Sequence, residues 1–164
     1  MILYQGSSVI VDKPQILNEY AGRDFGGGFY ATTIKEQAIK WAKRKAKIDL
    51  RAGKKSIPIL NEYECQDISE LKALKIKTFK GVSKEWLDFV VENRSNSNFK
   101  HDFDIVIGNI ANDNVGETVA YVIGGVITKE IALERLKFEK INDQICFNTN
   151  KALESLKFIG YTEC

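Results

Sequence analysis

Gly26-Gly27-Gly28-Phe29-Tyr30-Ala31-Thr32 is the stretch on which the reading of the fold turns. Three glycines run straight into a short aromatic and β-branched segment, the pattern of a loop that feeds a strand. A dinucleotide-binding fingerprint needs its glycines between a strand and a helix, so a Rossmann reading fails here. Thr32 or Thr33 caps the helix that comes next. Its apolar positions Ile34, Ala38, Trp41, Ala42 and Ile48 follow helical spacing until Gly53 ends it.

Outward from this stretch, a first strand is expected over Ile2 to Gln5 and further strands over Ser56 to Glu64 and Leu74 to Phe79. A helix from Ser83 to Asn93 has Ser83 as its cap and Trp86, Phe89 and Val90 as its buried stripe. Asp104 to Ile110 reads as an apolar strand. Thr118 to Ile127 reads as helical, broken by Gly124-Gly125. Thr128 caps Lys129 to Glu139, with Ile131, Leu133 and Leu136 facing the core. A strand at Gln144 to Asn148, a short helix at Asn150 to Lys157 and a strand near Phe158 to Tyr161 complete the chain. Helices and strands mix without a regular βαβ alternation, which predicts an α+β fold. With no repeat, linker or low-complexity tract, residues 1–164 read as a single domain.

The hydrophobic fraction of 44% and charged fraction of 28% are those of an ordinary globular protein. No apolar run approaches the roughly 18 residues that span a bilayer, and the first residues lack the pattern of a signal peptide. Cys65, Cys146 and Cys164 are an odd, widely spaced set with one histidine beside them, so neither a zinc site nor a disulfide framework is expected. A reducing cytoplasm and no bound metal follow as expectations. Net charge is only +2, yet Lys40, Lys43, Arg44, Lys45, Lys47, Arg51 and Lys54 crowd the segment between Lys35 and Lys55, opposed by Glu36 and Asp49. The ordinary reading is the solvated face of an amphipathic helix; a face this basic also attracts phosphates.

Nothing in the chain has the form of a P-loop, a nucleophile elbow or a metal-ligand cluster. His101, followed by Asp102 and Asp104, has the makings of an oriented base, but a loop histidine at a strand entrance is the plainer reading. Cys146, within an apolar strand, reads as a small core residue. Two segments carry more information: Leu3-Tyr4-Gln5-Gly6-Ser7, and Gly28-Phe29-Tyr30-Ala31-Thr32 with Gln37-Ala38 and Trp41 beyond it. Glycines beside an aromatic strand permit close backbone approach to a flat ligand, with Tyr30 as one face and Trp41 as another. A core strand and a core helix account for the same pattern equally well.

These segments resemble the NAD-binding half of the diphtheria-toxin-like and poly(ADP-ribose) polymerase-like transferases. In those proteins a first strand reads Leu-Tyr/Trp-His-Gly-Ser/Thr, a later one reads Gly-x-Gly-Ile/Phe-Tyr-Phe/Ala, and a helix carries a second aromatic. The chain also resembles, along nearly its full length, a bacterial family in that superfamily, DUF3990. The segments that carry this are Trp86-Leu87-Asp88-Phe89-Val90 with Asn93-Arg94, His101 to Gly108, Ala111-Asn112-Asp113, and Asn142 to Phe147.

The resemblance implies two small, mostly antiparallel sheets with flanking helices and NAD in the cleft between them. Gly6 would pair with the nicotinamide carboxamide, with Ser7, Gly28, Phe29 and Thr32 around the same site. Gln5, in the place of the usual histidine, would bond the adenosine-side ribose, and Tyr30 and Trp41 would stack the nicotinamide. The superfamily's glutamate on a late strand falls on Gln144 here, or on Asp143 after a shift of one residue. A glutamine brings no charge to an oxocarbenium-like transition state and cannot deprotonate an acceptor, so single transfer assisted by the acceptor's own carboxylate or by another local acid, Asp113 or Asp88, is expected in place of polymer synthesis. The implied activity is NAD-dependent mono-ADP-ribosyl transfer to a protein or nucleic acid. The chain would be the toxin of a bacterial toxin–antitoxin or phage-defence system, with a cognate antitoxin as a further partner. A non-catalytic NAD or ADP-ribose-binding module and an NAD glycohydrolase are the alternatives.

Overall fold

Two sheets carry the chain in a computed structural model that describes residues 1–17, 22–109, 113–137 and 142–164. One sheet is antiparallel, ordered β1 (Ile2–Ser7), β3 (Ile59–Cys65), β7 (Leu156–Glu163). The other is ordered β2 (Phe29–Ala31), β6 (Asp143–Phe147), β5 (Ile105–Asn109), β4 (Ile76–Thr78), and within it only the β4–β5 pair is parallel. The helices are α1 (Lys35–Arg51), α2 (Lys84–Ser95), α3 (Asp113–Ile123), α4 (Lys129–Leu136) and α5 (Asn150–Leu153). The fold is α+β with two mostly antiparallel sheets, as the mixed element order predicts.

Side-chain alternation along β2, β5 and β6 sorts the core into two layers. Phe29, Ala31, Ile105, Ile145 and Phe147 join Leu3 and Tyr63 in a cluster shared by the two sheets. Val106 and Cys146 point the other way, into a cluster with Phe25, Phe79, Trp86, Leu87, Val90, Val119 and Leu136 beneath α2, α3 and α4. Covering both faces explains why β5 and β6 read as near-continuous apolar runs. Cys146 is fully buried, as its sequence context predicts.

Helix α1 lies on β1 through a stripe of small residues. Ala38, Ala42 and Ala46 are buried at a spacing of four, and the strand answers with Gly6. A Cβ on Gly6 would stand 2.1 Å from the Ala38 carbonyl oxygen and 2.6 Å from the Ala42 nitrogen, so helix and strand approach as closely as their backbones allow. This corrects the expected stripe. Trp41 and Ile48 are 53% and 51% exposed, because the alanines take the inner face. The helix cap is Ile34 with no side-chain cap bond; Thr32 instead accepts from the Ile34 N–H at 3.1 Å.

Other boundaries move for local reasons. β1 runs on to Ser7, and β3 starts at Ile59, past Pro58, which has no N–H for a ladder. β4 keeps only Ile76–Thr78. The capping of α2 by Ser83, whose Oγ accepts from the Trp86 N–H at 3.1 Å, matches the sequence reading. α3 begins five residues before the expected Thr118 and stops at the Gly124-Gly125 pair. In α4, Ala132 and Leu136 are buried, whereas Ile131 is exposed. α5 ends at Leu153, because β7 claims the chain from Leu156 onward. Ile110 and the 138–139 end of the expected α4 lie outside the described residues.

Candidate functional site

The two sheets meet at Tyr4 and Thr32. The Tyr4 N–H donates to the Thr32 carbonyl at 2.8 Å and the Thr32 N–H returns the bond at 3.0 Å. Along an antiparallel strand, the N–H and C=O of one residue share an edge, and successive residues alternate. Met1 exchanges both of its groups with Cys65 of β3, at 2.7 and 2.9 Å. Tyr4 therefore faces away from β3, and so does Gly6 two residues later. β1 is the edge strand of its own sheet, so the amide and carbonyl of Gly6, which is buried, face away from β3 on the side of β2.

A carboxylate sits at this junction. Asp143 accepts from the Thr32 hydroxyl at 3.0 Å with one oxygen and from the Thr33 hydroxyl at 2.8 Å with the other. Gln37 of α1 donates its side-chain amide to the Asp143 carbonyl at 2.9 Å. Four residues on from Gln37, and thus on the same helical face, is Trp41, with the Arg44 guanidinium over its ring at 5.8 Å. The junction thus gathers a buried edge-strand peptide, a partly buried carboxylate and a half-exposed indole on the neighbouring helix face.

Tyr30 and Gln144 occupy the opposite face of the second sheet. The Tyr30 hydroxyl donates to the Gly26 carbonyl at 2.6 Å and accepts from the Phe25 N–H at 3.1 Å, while Arg23 lies over its ring at 5.5 Å. Burial, then the neighbouring Cys146 thiol, raise its pKa well above the ordinary tyrosine value, so the hydroxyl stays protonated and donates. Burial likewise pushes the Cys146 thiol up to about 12, which leaves it inert.

Gln144 is buried, and its amide nitrogen donates to Asp24 at 2.9 Å. The same carboxylate takes Arg94 at 2.7 Å from Nε and 2.6 Å from the terminal nitrogen. Asn148 donates to the Phe25 and Gly27 carbonyls, both at 2.9 Å, and His101 Nε2 bonds the Phe25 carbonyl at 3.0 Å. The turn from Arg23 to Gly28 is thereby tied to β2, β6, α2 and the His101 loop. A Cβ on Gly28 would meet the Cys146 sulfur at 2.5 Å and the Phe147 carbonyl at 2.7 Å, which accounts for the last glycine of the triplet.

The remaining expected site residues divide. Gln5 accepts from buried Asn61 at 2.9 Å, and Ser7 is buried with its hydroxyl accepting from the Val9 N–H. Phe29 is a core residue, edge-on to Tyr63 at 5.4 Å. Asp113 opens α3, with its side chain outside what is described, as are Ala111 and Asn112. Asp88 is paired with Lys84 and Lys129 on the helical layer. His101 packs between Phe89 and Phe103, with Nδ1 accepting from the Phe103 N–H, which fits the plainer reading of a structural loop histidine.

Asp24, Arg94, Asn61 and Thr33 went unnoticed in the sequence as site-building residues. Only the Arg-Asp pair before Phe25 hints at a polar turn. A surface depression of about 530 Å³ is lined by Glu64, Cys65, Leu71, Leu74, Lys151 and their neighbours, and neither Gly6, Thr32, Trp41 nor Asp143 lines it. We give the junction more weight because polar groups converge there. No helix of the described residues is long and apolar enough to cross a membrane. Neither a curated protein nor a solved structure matches the chain. The model of the family described as "Protein of unknown function (DUF3990)" matches residues 1–158, and the chain belongs to that family.

Proposed function

We propose that this chain binds NAD where its two sheets meet and transfers a single ADP-ribosyl group from it to an acceptor. The observation that carries the reading is the junction of the two sheets at Tyr4 and Thr32, with Gly6 two residues on and the Asp143 carboxylate held by Thr32 and Thr33. A carboxamide needs one donor and one acceptor in a plane, which a strand-edge peptide provides. The pyridinium ring is flat and cationic, and an aromatic face such as Trp41 suits it. When the C1′–N bond breaks, nicotinamide leaves neutral and positive charge passes to the ribose; an oriented carboxylate stabilises that charge. The acceptor's nucleophile then bonds C1′ and gives up its proton.

Of the two candidate positions on β6, this assigns the charged role to Asp143 and makes Gln144, through Asp24, a positioning residue. Asp113 is the candidate carboxylate that takes the acceptor's proton. The resemblance extends the proposal to a toxin restrained by a partner protein. The test is incubation with NAD labelled on the adenylate phosphate and a bacterial lysate. A labelled protein or nucleic acid, lost in Asp143→Asn, is expected.

One observation favours a second reading, a non-catalytic NAD or ADP-ribose module. The Gln5 and Gln144 amides are both committed to internal partners, Asn61 and Asp24. It predicts NAD binding by calorimetry with no nicotinamide release. Absence of NAD binding by the folded protein would sink both readings.

A further inference from the structure

The positive charge of this molecule is concentrated on one helix. Seven basic residues against two acidic ones give α1 an excess of five, more than the +2 of the entire chain, so the rest of the molecule is net acidic. At about 100° per residue, Lys43, Lys47, Lys40, Arg51 and Arg44 follow one another around the outward arc. That arc is interrupted only by Glu36 at the first turn. The inner face is consumed by Ala38, Ala42 and Ala46 against β1. Lys35 and Lys45 have carboxylate partners in Glu62 and Asp49, whereas Lys40, Lys43, Lys47 and Arg51 make no ion pair among the described residues. Toward the junction of the sheets, the arc ends at Trp41, one turn from the Gln37 that bonds Asp143.

We infer that this face of α1 docks a single-stranded nucleic acid, whose backbone phosphates lie along Lys40, Lys43, Lys47 and Arg51. The chemistry decides the partner. A helix that lies on a membrane keeps a continuous apolar face for the lipid, but the alanine face of α1 is buried, and its exposed apolar residues are divided by the cations, Trp41 and Ile48 on one side and Leu50 on the other. A row of cations on one helix beside an exposed aromatic is the footprint of a phosphate backbone. A strand laid this way leads to the edge where Gly6, Thr32 and Asp143 gather. The acceptor role of that strand rests on the proposed function, whereas its binding does not. A single strand is favoured because its unpaired bases can stack on the exposed Trp41 ring, whereas those of a duplex are already stacked on one another.

The test uses the whole chain and fluorescein-labelled mixed-sequence 20-nucleotide single strands, RNA in one arm and DNA in the other, without NAD. Four phosphate contacts predict a log–log salt dependence with a slope of about −3. Replacing Lys40, Lys43 and Lys47 together by Ala should weaken binding at least about tenfold and flatten the slope by about 2, with an unchanged melting temperature. Replacing exposed Lys72, Lys80 and Lys100 together by Ala should change affinity less than about twofold, since they lie off this face.

Four results would overturn the inference. They are no binding of either strand, an equal loss in the control triple, a preference for duplex, and equal or tighter binding to polyglutamate or phosphatidylserine vesicles. NAD affinity measured in the same variants separates the two proposals. Oligonucleotide binding without NAD binding defeats only the proposed function. NAD binding without oligonucleotide binding defeats only this inference.

Discussion

The side-chain amide of Gln144 donates to the carboxylate of Asp24 across 2.9 Å, although 120 positions separate the two in sequence. Arg94 holds the other side of the same buried carboxylate. Removing one partner of a buried ion pair leaves the other charge uncompensated, so Asp24→Ala should cost about 3–5 kcal/mol of stability. Urea denaturation checks this. A loss within about 1 kcal/mol would show that the network does not hold the Arg23–Gly28 turn.

Gly6→Ala should be among the most damaging single methyl additions in the chain. The new Cβ meets backbone atoms of α1 at 2.1 and 2.6 Å, which no side-chain rotation relieves. Overpacking of this kind costs about 1–3 kcal/mol or more, and it should release α1. Far-UV circular dichroism and the thermal midpoint measure it; a wild-type midpoint would mean that α1 docks less closely than described.

Tyr30→Phe and Tyr30→Ala separate the two jobs of this residue. Loss of the hydroxyl leaves the Gly26 carbonyl and the Phe25 N–H without it and should cost about 1–3 kcal/mol. The resemblance has this ring stack the nicotinamide, which predicts that Tyr30→Phe binds NAD nearly as wild type while Tyr30→Ala loses about tenfold or more. A ring that serves only the 23–28 turn, on the face away from Asp143, predicts equal affinities. Equal affinities for the wild type and a folded Tyr30→Ala would remove Tyr30 from the site.

Asp88 should contribute to the acid limb of stability. The Lys129 ammonium, and then Lys84, hold its carboxyl below the usual carboxylate range. A folded pKa that is depressed gives stability present above about pH 4 and lost as pH falls through the folded value. Asp88→Asn should therefore flatten the decline of the urea midpoint between about pH 5 and pH 3. At neutral pH it should cost less than about 1 kcal/mol, because all three partners are more than a third exposed. An unchanged acid limb would exclude this pair as a contributor.

The thiols should react one at a time. Cys146 is buried with its pKa near 12 and Cys65 is buried with a raised pKa, whereas Cys164 is exposed. A thiol reagent at pH 8 should titrate one group in the folded protein and three after denaturation. Fast reaction of a second thiol in native buffer would point to opening of the β2–β6 region or the β3 end.

Much of the fold was legible where the signal is local. Ser83 marks the start of α2 because its hydroxyl serves a backbone N–H three residues away, and β5 and β6 announce themselves as apolar runs. Trp41 was misleading for a reason of the same kind. Helical spacing identifies an apolar stripe but not which of two overlapping stripes faces inward, and close approach of Gly6 to the backbone selected the alanines. Asp24 was invisible because Arg94 and Gln144, which hold its carboxylate, are 70 and 120 positions away in sequence. Its partners arrive from α2 and β6.

Sequence alone determined the element types, the glycine-to-strand transition at Gly28-Phe29, the resemblance to its family and the concentration of basic residues on one helix. Those properties depend on spacing within a few residues, where the chain's own geometry decides what meets what. Tertiary structure alone decided that Asp143 stands between two threonine hydroxyls, that Gln144 turns inward to Asp24, and that Gly6 lies against the backbone of α1. Each of these depends on which atoms the two sheets and α1 bring together from distant parts of the chain, and that register is set by packing of the whole core.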